Sequence, residues 1–264
     1  MSERTKLLTK FGKFFNIISH GKKVLCEECK QGNTEDDWCK ACNAKHFQQN
    51  FENWTSGNDD IDKFIQDTQL SANTHHKVLE WIPYDRFYDI EYIAKGGFGR
   101  IYKAKWIDGY ILNWDNTVQN WKRLEPNKFV ALKSLDNSKN TSEILNEISL
   151  HKNIFEHDQF IVKFYGITQD PKTKDYIMVL DYAEKGNLRN YLSTDYNKLD
   201  WNAILRILLD VASGLDLIHE KELIHRDLHV GNILMSSDYA MITDFGLCKP
   251  ADNVSENKKN HIYG

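Results

Sequence analysis

The chain has 264 residues, of which 41% are hydrophobic and 27% charged, and its formal net charge is −4. That length supports a sizeable core, while no apolar run approaches the length of a membrane span. The mild acidity excludes a strongly basic surface, so tight binding to nucleic-acid backbones is not expected.

Residues 1–20 set Lys6, Lys10 and Lys13 among Leu7, Leu8, Phe11, Phe14, Phe15, Ile17 and Ile18. The pattern predicts a short basic amphipathic helix that packs on protein, with weak peripheral membrane contact as the alternative. Charge interrupts it too often for a signal-peptide core, and Glu3 with few arginines argues against a transit peptide. Residues 21–50 carry Cys26, Cys29, Cys39 and Cys42 in a C-x2-C-x9-C-x2-C array, four of the five cysteines. Two-residue spacing lets each pair turn its thiolates onto one tetrahedral ion, so structural zinc is the expected occupant. Disulfides are the competing reading, disfavoured without a secretory signal. His46 is a candidate substitute ligand, although a surface histidine fits better, and Cys248 reads as an ordinary small residue. A zinc-stapled element of this size suits docking of a protein partner.

Residues 51–87 read as a helix and a linker. Asn58 or Asp59 can cap a helix in which Ile61, Phe64 and Ile65 share a face, ending near Leu70. Ser71 to His76 is polar, and Val78, Leu79, Trp81 and Ile82 then lead to a strand. From residue 88, Ile93-Ala94-Lys95-Gly96-Gly97-Phe98-Gly99-Arg100-Ile101 reads as two strands joined by a glycine turn. The stretch from Ala104 to Phe129 is long and polar and includes Trp106, Trp114 and Trp121, which predicts an extended hairpin with locally packed tryptophans. Phe129-Val130-Ala131-Leu132-Lys133 is a short strand ending in a lysine. Ile144, Ile148 and His151 recur at helical spacing, and that helix offers Lys133 a counter-ion in Glu147, or one turn earlier in Glu143. Ile177 to Ala183, containing Leu180 and Asp181, has strand length. Trp201 to His219 places Ile204, Leu208, Val211, Leu215 and Ile218 on one predicted helix stripe.

The segment His225-Arg226-Asp227-Leu228-His229-Val230-Gly231-Asn232, followed by Asp244-Phe245-Gly246, closes the series. Phosphoryl transfer needs one carboxylate to orient a hydroxyl, and an amide oxygen with a second carboxylate to hold Mg²⁺. With these motifs in order from about Tyr88 to Gly264, the chain resembles a protein-kinase catalytic domain. The resemblance implies an α+β fold: a complete small β-rich lobe and an incomplete helical lobe, preceded here by a zinc-ribbon-like element. It also implies an ATP- and Mg²⁺-dependent enzyme acting on a protein substrate, and intracellular, cytoplasmic signalling is the expected setting.

By resemblance Asp227 is the base, Asn232 and Asp244 hold Mg²⁺, and Lys133 paired with Glu147 positions the phosphates. Ile93, Gly96, Gly97, Phe98, Gly99, Ile101, Ala131 and Leu180 would surround the nucleotide, with the backbone of Asp181 and Ala183 on the adenine edge. Ala94 stands where the family has its first glycine, a departure expected to weaken nucleotide affinity. The sequence around His229 resembles most the tyrosine-kinase-like group and its fungal expansions, whose members mostly modify Ser and Thr. The chain ends at Gly264 before any Ala-Pro-Glu motif, so the resemblance implies a domain truncated in its activation segment. An inactive nucleotide-binding scaffold is therefore the alternative function.

Overall fold

The computed structural model describes residues 24–35, 37–96, 99–135, 141–155, 159–195, 199–237 and 239–251. The expected helix over residues 1–20, and Gly97 and Phe98 of the glycine turn, lie outside them.

The architecture is α+β, built around a six-stranded sheet in the order β1-β7-β8-β6-β3-β2. Its strands are β1 (Glu80–Trp81), β2 (Phe87–Gly96), β3 (Gly99–Trp106), β6 (Lys128–Ser134), β7 (Phe164–Gln169) and β8 (Tyr176–Asp181). Neighbours run antiparallel except β1, which lies parallel to β7. Gly166 permits that approach, because a Cβ there would collide with the Glu80 carbonyl. Strand β2 is irregular, with register shifts between Tyr88 and Glu91 and between Tyr92 and Ala94.

The cysteine-bearing segment ends in helix α1 (Lys40–Gln48), and α2 (Asp59–Ser71) follows. The Asn58 side chain caps α2 by accepting from the Asp60 and Ile61 N–H groups at 3.0 and 3.2 Å. Helix α2 is fully seated on the sheet lobe. Ile61 and Ile65, each 0% exposed, share a core with Leu79, Leu135, Ile144, Ile148 and Ile167. The polar stretch after α2 is likewise held in place. The Trp38 indole donates to the Ala72 carbonyl at 3.1 Å, and the Thr34 hydroxyl to that of Asn73 at 2.7 Å.

The expected hairpin is present as β4 (Tyr110–Asp115) and β5 (Asn120–Leu124). Its tryptophans face two ways. Trp106, at its base, is buried in the lobe with Phe87, Val130 and Tyr165. Trp121 stacks on Phe47 at 4.1 Å, and Trp114 stacks on His46 at 4.0 Å, so the hairpin clasps the cysteine element. Arg123 of β5 forms a two-pronged pair with Glu80 and also donates to the Gly109 carbonyl at 2.7 Å.

Helix α3 (Thr141–Ile154) joins the core that α2 shares with the sheet through Ile144 and Ile148. The helical part contains α4 (Leu188–Asp195) and α5 (Trp201–Glu220), with the small pairs β10 (Ile233–Met235)/β11 (Ala240–Ile242) and β9 (Leu223–Ile224)/β12 (Lys249–Pro250). Asp200 caps α5 by accepting from the Ala203 N–H at 2.7 Å. Of the predicted stripe on α5, Ile218 is buried and Val211 and Leu215 pack against neighbouring cores, but Leu208 is exposed. Asp210, Gly214 and Ile218 are buried, whereas Trp201, Leu208 and Leu209 are 70%, 59% and 68% exposed. The physical reason is that α5 is apolar on two faces and β10–β11 covers one. Asp210 belongs to that covered face because its carboxylate accepts from the Ala240 N–H at 2.9 Å.

Candidate active site and cysteine cluster

The functional side chains converge where the sheet meets the β9–β12 region. Lys133 near the end of β6 donates from Nζ to Glu147 Oε1 on α3 at 2.8 Å and to Asp244 Oδ1 at 3.1 Å. Burial works against the Lys133 ammonium, but the two carboxylates outweigh it and hold its pKa above that of an ordinary lysine. A fixed cation thus lies between the strand, α3 and the Asp-Phe-Gly segment. The structure selects Glu147 over Glu143 for this contact.

Asn232 donates from Nδ2 to the Asp227 carbonyl at 2.9 Å and to Asp227 Oδ2 at 3.1 Å. That leaves the amide Oδ1, with the Asp244 carboxylate, as hard oxygen donors of the type Mg²⁺ prefers. His229 Nε2 stands 3.8 Å from the other Asp227 oxygen, Oδ1. Arg226 and Asp244 adopt φ of +66° and +69°, a sparsely populated region for non-glycine residues that concentrates at functional sites.

Three residues organise this site without having been assigned roles from sequence. The His225 Nδ1 accepts from the Asp227 N–H at 3.3 Å, while its Nε2–H donates to the Thr243 carbonyl at 3.1 Å. Burial lowers the His225 pKa, consistent with a neutral ring serving one donor and one acceptor. Phe245 is buried edge-on against His151 of α3 at 4.9 Å and against His225 at 5.5 Å. His151 donates from Nε2 to the Val162 carbonyl at 2.7 Å, and burial depresses its pKa to about 4. Only the helical spacing of His151 signalled its inward position.

The remaining expected nucleotide-side residues line up in register. Ala94 and Lys133 both pair with Ile101, Gly96 pairs with Gly99, and Ala131 pairs with Leu180. Ile93 lies on β2 and is exposed. A Cβ on Gly99 would strike the Ser134 carbonyl, so only glycine fits where the start of β3 approaches the end of β6. The Asp181 N–H donates to the Lys163 carbonyl at 2.9 Å, and the Ala183 carbonyl accepts from the Gly186 N–H at 3.0 Å.

The four cysteines form a second centre. Their sulfurs all lie within 4.8 Å of one another, with Cys26–Cys42 at 3.7 Å and Cys29–Cys39 at 3.6 Å. A tetrahedron with metal–sulfur bonds of about 2.3 Å has edges of about 3.8 Å, so the cluster fits a tetrathiolate ion. Cys26 and Cys29 flank a tight turn closed by the Lys30 N–H donating to the Cys26 carbonyl at 2.9 Å. Cys39 is the N-cap of α1 and Cys42 sits in its first turn. Burial and the neighbouring sulfurs push the Cys42 thiol well above its ordinary value. His46 is not part of the cluster; its Nε2 contacts Glu28 at 3.0 Å beneath Trp114. Cys248 is buried, and burial raises its thiol pKa to about 12, which fits the inert role read from sequence.

A lysine held by two carboxylates, an Asp–Asn pair and a glycine turn define a phosphoryl-transfer class of site. The family described as "Protein tyrosine and serine/threonine kinase" matches residues 89–262, and the chain belongs to it. Relatives include a receptor-like cytoplasmic serine/threonine-protein kinase of Nicotiana benthamiana, 29% identical over 80% of this chain and 45% of its own length. The receptor-like serine/threonine-protein kinase ALE2 of Arabidopsis thaliana is 27% identical over 80% of this chain and 26% of its own length. The tyrosine-protein kinase SPK-1 of Girardia tigrina is 26% identical over 82% and 46%. The chain thus spans less than half the length of these relatives. Among the described residues, no helix is long and apolar enough to cross a membrane.

Proposed function

We propose that this chain carries the nucleotide-binding and catalytic residues of an ATP- and Mg²⁺-dependent protein kinase acting on protein hydroxyls, Ser and Thr in preference to Tyr, in the cytoplasm. The observation that carries the reading is the bridge from Lys133 to both Glu147 and Asp244, beside an Asp227 fixed by Asn232. Bound Mg²⁺·ATP supplies the electrophilic phosphoryl group and the charge that neutralises it. Asp227 orients the acceptor hydroxyl and takes its proton. Asn232 Oδ1 and the Asp244 carboxylate would hold the cation, and Lys133, kept charged and in place by Glu147, would hold phosphate oxygens. The backbone at Gly96 and Gly99 would lie over the phosphates, Ile93, Ile101, Ala131 and Leu180 would enclose the base, and Asp181 and Ala183 would present backbone groups to its edge. The cysteine cluster binds a structural Zn²⁺ and fixes the surface through which the N-terminal element docks a protein.

The test is phosphate transfer from labelled ATP to mixed protein substrates. Asp227→Asn should lower it at least about a hundredfold, the usual scale for a lost general base, with the melting temperature unchanged. Transfer that persists undiminished in Asp227→Asn and in Lys133→Met would remove the assignment.

A further inference from the structure

A cavity of about 320 Å³ lies outside the nucleotide site, where three separated stretches meet. Lys40 enters it from the first turn of α1, Ser71, Asn73 and Lys77 from the α2–β1 connection, and Lys152 and Asn153 from the end of α3. Its walls are anchored by the Trp38 and Thr34 bonds to the Ala72 and Asn73 carbonyls. None of the residues around it is a carboxylate. Among the described residues, Lys40, Lys77 and Lys152 form no ion pair. Burial, and then the Lys77 charge, hold the Lys152 ammonium below an ordinary lysine, with Asp67 as the one acid acting the other way. The carbonyl ends of α2 and α3 offset about half a charge each. Three ammonium groups still leave a positive surplus in a partly enclosed space.

We infer that this cavity is a phosphomonoester site, in which the lysines bind the dianion and the amides and Ser71 contact its carrier. A volume in the usual small-ligand range of about 300–1,000 Å³ accommodates more than a bare oxyanion. The carrier is a phosphorylated Ser or Thr side chain of a peptide, or a soluble polyol phosphate. Such a ligand would join the cysteine element to the end of the helix that bears Glu147.

The full chain should be titrated calorimetrically with inorganic phosphate, a phosphoserine peptide and its unphosphorylated form, and an inositol trisphosphate. Support is binding that requires the phosphate and weakens at least tenfold in Lys77→Gln/Lys152→Gln while surviving in Lys133→Met. A tighter phosphopeptide identifies a protein source, and a tighter inositol trisphosphate a soluble one. Absence of binding, indifference to the double substitution, or loss in Lys133→Met overturns the site. A readout on the unaltered protein guards against misfolded variants: the bound phosphate should slow acetylation of Lys77 and Lys152 but not of exposed Lys63. Uniform acetylation with and without phosphate also overturns it.

Discussion

Ile65→Ala tests whether α2 is a structural part of the lobe. The side chain is 0% exposed and lies in one core with Ile144 and Ile148 of α3. The substitution removes three carbons, or about 2.4 kcal/mol at about 0.8 kcal/mol for each buried carbon. The residual cavity raises the total to about 3–4 kcal/mol, inside the range of about 2–5 kcal/mol for such truncations. Urea unfolding followed by tryptophan fluorescence should show that loss as a lower midpoint at unchanged slope. Val118→Ala, at a position 66% exposed on the hairpin, should stay within about 0.5 kcal/mol. Amide exchange should quicken in α3, because Ile144 and Ile148 of the helix that presents Glu147 share the core that Ile65 fills. A loss below about 1 kcal/mol, with α3 exchange unchanged, would refute the reasoning and make α2 a tethered appendage.

Other outcomes follow from the charges and the cysteines. Glu147→Gln and Asp244→Asn should each destabilise moderately, since Lys133 keeps one counter-ion. The double variant should lose more than the sum, because a buried ammonium is then unpaired; additivity in urea unfolding would count against the shared bridge. His151 titrates near 6.5 unfolded and about 4 folded, so the unfolded chain binds the proton first. Its contribution is fully present above pH 6.5 and fades as pH falls, by roughly 3 kcal/mol at pH 4. His151→Gln should flatten that part of the stability profile. Stripping metal with a strong chelator, or replacing Cys39 by Ser, should red-shift tryptophan emission as Trp38, Trp114 and Trp121 lose their packing. An unchanged spectrum with proven metal loss would contradict a stapling role.

The residues that chemistry constrains were the ones most readable from sequence. Lys133, Asp227, Asn232 and Asp244 are picked out by the type and order that binding phosphates and a hard cation would require, and the structure brings Lys133 to Asp244 and Asn232 to Asp227. Cys26, Cys29, Cys39 and Cys42 are picked out by their spacing, and their sulfurs cluster. Association between elements was less visible. The spacing of Ile61 and Ile65 announces a buried face but not that α3 is its partner. The hairpin could be anticipated, yet nothing local to Trp114 and Trp121 says they meet His46 and Phe47 some seventy residues away in sequence. Periodicity also misassigned Leu208, since a helix apolar on two sides does not reveal which side β10–β11 covers. His225 escaped notice because its value lies in two hydrogen bonds to backbone that no spacing rule encodes.

The sheet's two margins have unequal fates. At one margin β1 occupies β7, with Glu80 secured by Arg123. At the other, β2 presents Tyr88, Ile90, Tyr92 and Ile93 to solvent, a run that would attract a strand from another molecule if it were flat. Its two register shifts, with Asp89 at φ +50°, break the even ladder such a strand needs. A substitution that straightened β2 is therefore expected to promote edge-to-edge aggregation even with every side chain of the candidate site in place.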